Sequence, residues 1–251
     1  MAICSNSWVM TSRVERNRED AGYLIHGTPW RESSMIVEVF TEQHGRLSLL
    51  AKGVRRPRAA LRGVLQPFQR LQLSWFGQEH QLRTLKQAEW LETLPLLHGR
   101  ALFCGFYLNE LLYRLMPPDE GQTVLFPVYD HAMRQLLLGQ PAEPLLRSFE
   151  YHLLRAMGLA PAPILASLVA LHWEPERLYQ LDGDGAVIPC DGLHPDTVQF
   201  HGKTLQDMAE DCYEDPRSLQ ESKRLMRWLL SLHLGGREIH TRRILQEIPA
   251  L

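Results

Sequence analysis

Lys52, Arg55, Arg56, Arg58 and Arg62 fall within eleven residues that contain no acid. Cations at that density suit contact with a row of phosphates. Each neutralised phosphate releases condensed counterions, so such binding weakens steeply with salt. The wider segment 44–90 holds nine Lys and Arg against two acids, Glu79 and Glu89, a surplus of seven positive charges. A basic groove beside stacking aromatics is the usual platform for single-stranded nucleic acid. Trp30, Phe40, Trp75 and Phe76 could supply the aromatics, although a small barrel must spend some of them on its core. Two other readings stay open: a solvated basic loop, and a loop that meets an acidic protein instead of DNA.

The remaining constellations are poorer. Cys190, His194, His201 and Cys212 span 23 residues, but only Cys190 and His194 have the close spacing that a tetrahedral zinc site needs. No metal site is expected. Asp182-Gly-Asp-Gly185 has Leu193 at the twelfth position, where a calcium loop requires a bidentate Glu, so it reads as a turn. There is no G-x-S-x-G, P-loop or H-E-x-x-H, so no catalytic residue and no cofactor is assigned. Glu110 and Glu150 sit mid-helix among apolar residues and read as partly buried carboxylates, each paired with an Arg. A second basic cluster comprises Lys223, Arg224, Arg227, Arg237, His240, Arg242 and Arg243. Glu221, Glu238 and Glu247 interleave with it, and it reads as a solvated face.

The elements that must position these groups change character near residue 90. Before it, apolar residues alternate. Strands are expected at Tyr23–His26, Ser34–Thr41, Arg46–Ala51, Arg70–Phe76 and Gln81–Ala88, with a helical turn near Ala59–Arg62. Five short strands suit a closed barrel of the OB-fold kind. After it, the period becomes 3.6. Helices are expected at 102–115, 124–138, 144–157, 164–171, 204–209, 218–234 and 240–247, with Ser218 and Glu221 forming a capping box. A hairpin is expected across Arg177–Leu181 and Ala186–Pro189. The fold class is therefore α+β and multi-domain: a loose extension over 1–20, an OB-fold β-barrel over 21–92, and a mostly α-helical domain over 93–251 with a small insertion around 172–203.

The whole chain has 251 residues and a formal charge of −2, which hides the basic segment behind an acidic remainder. Cys4, Cys104, Cys190 and Cys212 form no pair in sequence, so a reducing cytoplasm is expected. No apolar run has the length of a membrane helix, the first twenty residues do not read as a signal peptide, and translation could begin at Met10.

Several motifs resemble the RecO family, the bacterial recombination mediators. They are Arg31-Glu-Ser-Ser34, Val39-Phe-Thr41, Gly45-Arg46, Leu50-Ala-Lys-Gly-Val-Arg-Arg56 and Leu65-Gln-Pro-Phe68 in the barrel. Further on come Tyr107-Leu-Asn-Glu-Leu-Leu112, Leu146-Arg-Ser-Phe-Glu150 and Leu234-Gly-Gly236, so the likeness covers roughly 20–245. It implies an OB-fold, binding of single- and double-stranded DNA, annealing of complementary strands, and remodelling of single-stranded-DNA-binding protein (SSB) so that recombinase can load. It also implies the partner RecR, a place at the nucleoid, no bond-breaking activity, and an SSB tail held on the helical domain by Arg147 with Phe149 beside it. On the barrel, Arg31 and Arg46 are expected to join Lys52, Arg55, Arg56, Arg58 and Arg62 in holding phosphates. The CxxC pairs of zinc-bearing relatives are absent here. Two other classes remain: a protein-only adaptor, and a metal-dependent nuclease with an unrecognised carboxylate site.

Overall fold

Alternation of apolar residues carries directly into a barrel in the computed structural model, which describes residues 17–160, 173–182, 187–192 and 197–247. Five strands form it: β1 (Arg18–Trp30), β2 (Ser34–Thr41), β3 (Gly45–Ala51), β4 (Arg70–Phe76) and β5 (Arg83–Trp90). They close in the order β1-β2-β3-β5-β4, with β3 and β5 parallel and the other pairs antiparallel. Val37, Val39, Leu47, Leu49, Leu71, Leu73 and Trp75 point inward and are buried. A short helix, α1 (Ala60–Val64), sits between β3 and β4.

The largest departure from the sequence pattern is β1. It begins at Arg18, inside the stretch expected to be a loose extension. Its first half pairs with β4 from Arg18↔Trp75 to Tyr23↔Arg70, and its second half pairs with β2 up to Trp30↔Ser34. One strand thus serves two neighbours and closes the barrel, a demand that Arg18-Glu-Asp20 does not advertise by hydropathy. Asp20 is buried because it accepts hydrogen bonds from the backbone N–H groups of Gln43 and His44 at the β2–β3 turn.

The helical part contains α2 (Gly99–Leu115), α3 (Leu125–Leu137), α4 (Ala142–Ala156), α5 (Gly202–Ala209), α6 (Pro216–His233) and α7 (His240–Glu247). The expected hairpin is present as β6 (Leu178–Leu181) and β7 (Val187–Pro189). A third strand, β8 (Gln199–His201), pairs on the other side of β6. Three residues are too few to show a period. The helix expected at 164–171 lies outside the described residues. The capping box is also corrected: Asp215 caps α6 by accepting from the Ser218 N–H, and Glu221 turns inward to His201 and Thr204.

The barrel interior is one core, and the outer face of the barrel shares a second with the helices. Tyr23 and Phe40, cross-strand partners on the outside of the barrel, pack against Phe126 and Tyr129 of α3. The Tyr23 hydroxyl donates to Asp130 at 2.5 Å. Burial works against the Asp130 charge, but hydrogen bonds from Arg134 and Tyr23 hold its carboxyl below the usual range. Gly45 marks the closest approach: its φ is +69°, and a Cβ there would stand 1.8 Å from the Glu120 carbonyl oxygen. Gly45→Ala is expected to cost more than about 2 kcal/mol of stability, because it combines a disfavoured left-handed backbone with a backbone clash. A shift of the urea midpoint measures it.

The last helix is held by a carboxylate from α2. Glu110 accepts from the His240 and Thr241 N–H groups at 2.9 Å and from the Thr241 hydroxyl at 2.6 Å, and it pairs with Arg114 at 2.6 Å. Burial opposes the Glu110 charge, yet the bonds from Thr241 and His240 keep its pKa below the ordinary value. A carboxylate depressed in the folded state stabilises fully above its unfolded pKa, about 4.3. That stabilisation is lost as pH falls through the lower folded value. Glu110→Gln is expected to cost about 1 kcal/mol, as removal of a helix cap does. Faster hydrogen exchange confined to α7 amides at neutral pH would report it.

Candidate nucleic-acid interface

The basic loop is built, not floppy. Gly53 takes φ +68°, a left-handed position open to glycine, and starts a chain of turns. Arg56 N–H bonds Gly53 O, Ala59 N–H bonds Arg56 O, and Arg62 N–H bonds Ala59 O, at 3.0–3.2 Å. Val54 is buried in the barrel core and anchors the loop between exposed cations. The β1–β2 turn holds its flank: Arg55 N–H donates to Ser33 O at 2.8 Å, and Arg55 Nη1 donates to Arg31 O at 3.3 Å. Arg31, Lys52, Arg55, Arg56, Arg58 and Arg62 are all exposed. The fold therefore places Arg31 beside the loop, as expected. Trp30, 41% exposed, is next to it.

Other basic residues of the segment have different employment. Arg46 donates to the Met116 carbonyl at 2.8 Å and to Glu38 at 3.1 Å, and it lies over the Tyr113 ring. It ties the barrel to the helices and is half-buried, unlike the six exposed cations. Arg70 meets Glu42 and Asp130, and Arg83 is buried on Asp119. These partners stand far off in sequence, which is why counting charges overstated the surplus. Phe40 and Trp75 are core residues and Phe76 is half-buried, so Trp30 is the exposed aromatic of the four.

A second basic cluster lies among the helices. A pocket of about 240 Å³ opens between α2, α4, α6 and α7. Leu146, Ala142 and Leu219 form apolar wall, and Arg147, Arg227 and Arg242 bring guanidinium groups to it. Arg147 is 6% exposed. Its Nη2 donates to Glu150 Oε1 at 2.6 Å, and Tyr107 donates to the same oxygen. Arg147 Nε and Nη1 and Glu150 Oε2 have no hydrogen-bond partner among the described residues. Burial pushes the Glu150 carboxyl up, against the opposing pull of Arg147 and the Tyr107 hydroxyl. Burial likewise holds the Arg242 guanidinium below its ordinary value, and the like charges of Arg227 and Arg147 add to it. Crowded guanidiniums with unused donors beside apolar wall suit a carboxylate attached to an apolar group.

Arg147, expected on the helical domain, lines this pocket. Phe149 does not: it is fully buried, with its ring 6.0 Å from Tyr129, and contributes to the core instead of the pocket wall. Acids interleave with Arg227 and Arg242 in sequence, which suggests a solvated face, whereas both line the pocket. The decisive acid, Glu221, is turned inward to α5, so its charge is spent elsewhere. Glu110 and Glu150 each pair with an Arg, as expected; the partners are Arg114 and Arg147, and Glu150 is fully buried rather than partly.

No group of three potential metal ligands comes together among the described residues. Cys190 bonds Gln199 and the Gly192 carbonyl, and His194 lies outside the described residues. No described helix is long and apolar enough to cross a membrane.

Two family models match the chain: "Recombination protein O N terminal" over residues 16–94 and "Recombination protein O C terminal" over 97–162. A protein of Azoarcus sp. (strain BH72) named "DNA repair protein RecO" is 43% identical over 240 residues, covering 94% of this chain and 98% of the relative. Its namesake in Burkholderia orbicola (strain AU 1054) is 43% identical over 248 residues, covering 96% and 87%. That of Aromatoleum aromaticum is 39% identical over 240 residues, covering 96% and 100%.

Proposed function

We propose, for a chain that belongs to the RecO family of DNA repair proteins, that it is a recombination mediator with two anion-binding surfaces in one body. The barrel row of Arg31, Lys52, Arg55, Arg56, Arg58 and Arg62 holds the phosphates of single- and double-stranded DNA. The helical pocket holds the acidic, apolar carboxy-terminal tail of SSB, with Arg147 on the tail carboxylate and the Leu146 wall against its apolar side chain. The tail brings the protein to SSB-coated strands. The barrel cations offset repulsion between two strand backbones, so complementary strands anneal and the coat is remodelled for recombinase loading. RecR joins in this work, in the cytoplasm at the nucleoid, and no bond is broken.

The observation that carries this reading is the pairing of an exposed cationic row with a pocket between helices whose buried Arg147 has unused donors. An annealing assay tests it. Two labelled complementary strands are coated with SSB and mixed with the intact protein. Annealing several-fold faster than without protein is expected, and an unchanged rate refutes the proposal. The same strands, run on a denaturing gel after incubation with magnesium or manganese, are expected to stay whole.

A further inference from the structure

Three clefts on the helical side run into one another. The anion pocket shares Arg227 and Arg242 with a cleft of about 420 Å³ at the α6–α7 turn. That cleft shares Leu234, Arg237 and Glu238 with a third, of about 1030 Å³, whose far wall is Arg46 and Tyr113 at the barrel. There the path meets β1, where the His26 ring lies 4.7 Å from that of Tyr113. His26, Thr28 and Trp30 are two residues apart, so they share one face of the strand, and all three are exposed. Trp30 adjoins Arg31, whose carbonyl is bonded to Arg55 of the basic loop. A continuous strip therefore joins the barrel cations to the anion pocket.

We propose that this strip is the track of one DNA single strand, and that a strand in the track and an acidic tail in the pocket exclude each other because both need Arg227 and Arg242. The inference rests on the reading above, of DNA at the barrel and a tail in the pocket. Charge favours it. Arg227 and Arg237 are exposed and make no ion pair among the described residues. Arg242 is crowded by like charges. The acids along the way are engaged: Glu238 stands 3.7 Å from Arg243, Glu110 caps α7, and Glu143 pairs with Lys223. Shape and aromatics favour a single strand. Trp30, 41% exposed at the barrel end of the strip, offers a ring on which a base can stack. Clefts of about 240, 420 and 1030 Å³ in series admit nucleotides one after another, whereas duplex DNA is stiff over about 150 base pairs. The shared arginines make recruitment and release one event: the tail docks first, and the strand it delivers then displaces it.

Competition on the intact chain tests this. Fluorescein-labelled dT30 is bound at low salt and titrated with a synthetic peptide of four aspartates, two apolar residues and a terminal phenylalanine with free carboxylate. Saturating peptide is expected to weaken dT30 binding about tenfold and to lower the log–log salt slope by roughly 1–2 units, the loss of two phosphate contacts. Arg237→Glu, outside the pocket, is expected to weaken dT30 about tenfold, as loss of one strong ionic contact does, with peptide affinity unchanged. Arg227→Ala with Arg242→Ala weakens both ligands and ends the competition. Unchanged dT30 affinity under saturating peptide overturns the exclusion, and wild-type dT30 binding by Arg237→Glu overturns the track. If Arg55→Ala with Arg56→Ala loses dT30 while Arg237→Glu does not, the track alone falls and the barrel reading stands. If the intact chain binds neither probe, both fall.

Discussion

Arg147→Ala is expected to lower the unfolding free energy by about 3–5 kcal/mol, the cost of stranding a buried charge when its partner is removed. Glu150 is 1% exposed, and its shared oxygen would keep only the Tyr107 hydroxyl. The pH dependence carries a sign. The Glu150 carboxyl is already pushed up by burial, with Arg147 the main opposing influence. Without Arg147 it rises further, so the ionised form is penalised at neutral pH and the penalty is relieved as pH falls through the raised value. The variant should therefore gain stability relative to wild type between pH 7 and pH 5, read from urea midpoints. Adding Glu150→Gln should recover more than half of the loss, because a neutral amide can be buried where a lone carboxylate cannot. That double variant separates folding from recognition. It should bind the acidic peptide at least tenfold more weakly, the worth of a lost charge-assisted contact, while holding naked DNA as the wild type does. Wild-type peptide affinity in the double variant would remove Arg147 from the tail site.

Arg55→Ala with Arg56→Ala has the second large effect. If each exposed guanidinium contributes about 1 kcal/mol, the pair weakens single-strand affinity roughly 30-fold. The log–log salt slope should fall by about 1–2 units, since each lost phosphate contact removes close to one counterion from the release. Both side chains are exposed, so stability should change little. Fluorescence anisotropy at several salt concentrations gives slope and affinity together. An unchanged slope would take the loop out of the DNA path, whatever happened to affinity.

How much of this was legible in the sequence follows from how local each signal is. β2 and β4 appear with their observed bounds because period two and flanking turns are written in consecutive residues. β1 was cut short at its charged start, since Asp20 is buried only through the β2–β3 turn it supports. The five loop cations were legible because they are contiguous. The partners of Arg46, Arg70 and Arg83 were not legible, because Glu38, Asp130 and Asp119 meet them only in the folded chain. Phe149 shows the same limit: a helix repeat says that it lies on an apolar face, not which body covers that face.

By itself the sequence determined the barrel, the helical half, the basic loop and the family likeness, all properties of short stretches read in order. Only the tertiary structure decided which charges have ion-pair partners and where the basic helical pocket lies. Arg147, Arg227 and Arg242 come from three helices, and their proximity depends on how α4, α6 and α7 pack. A charge's availability is set by its nearest neighbours in space, and those neighbours exist only once distant segments of chain share a core.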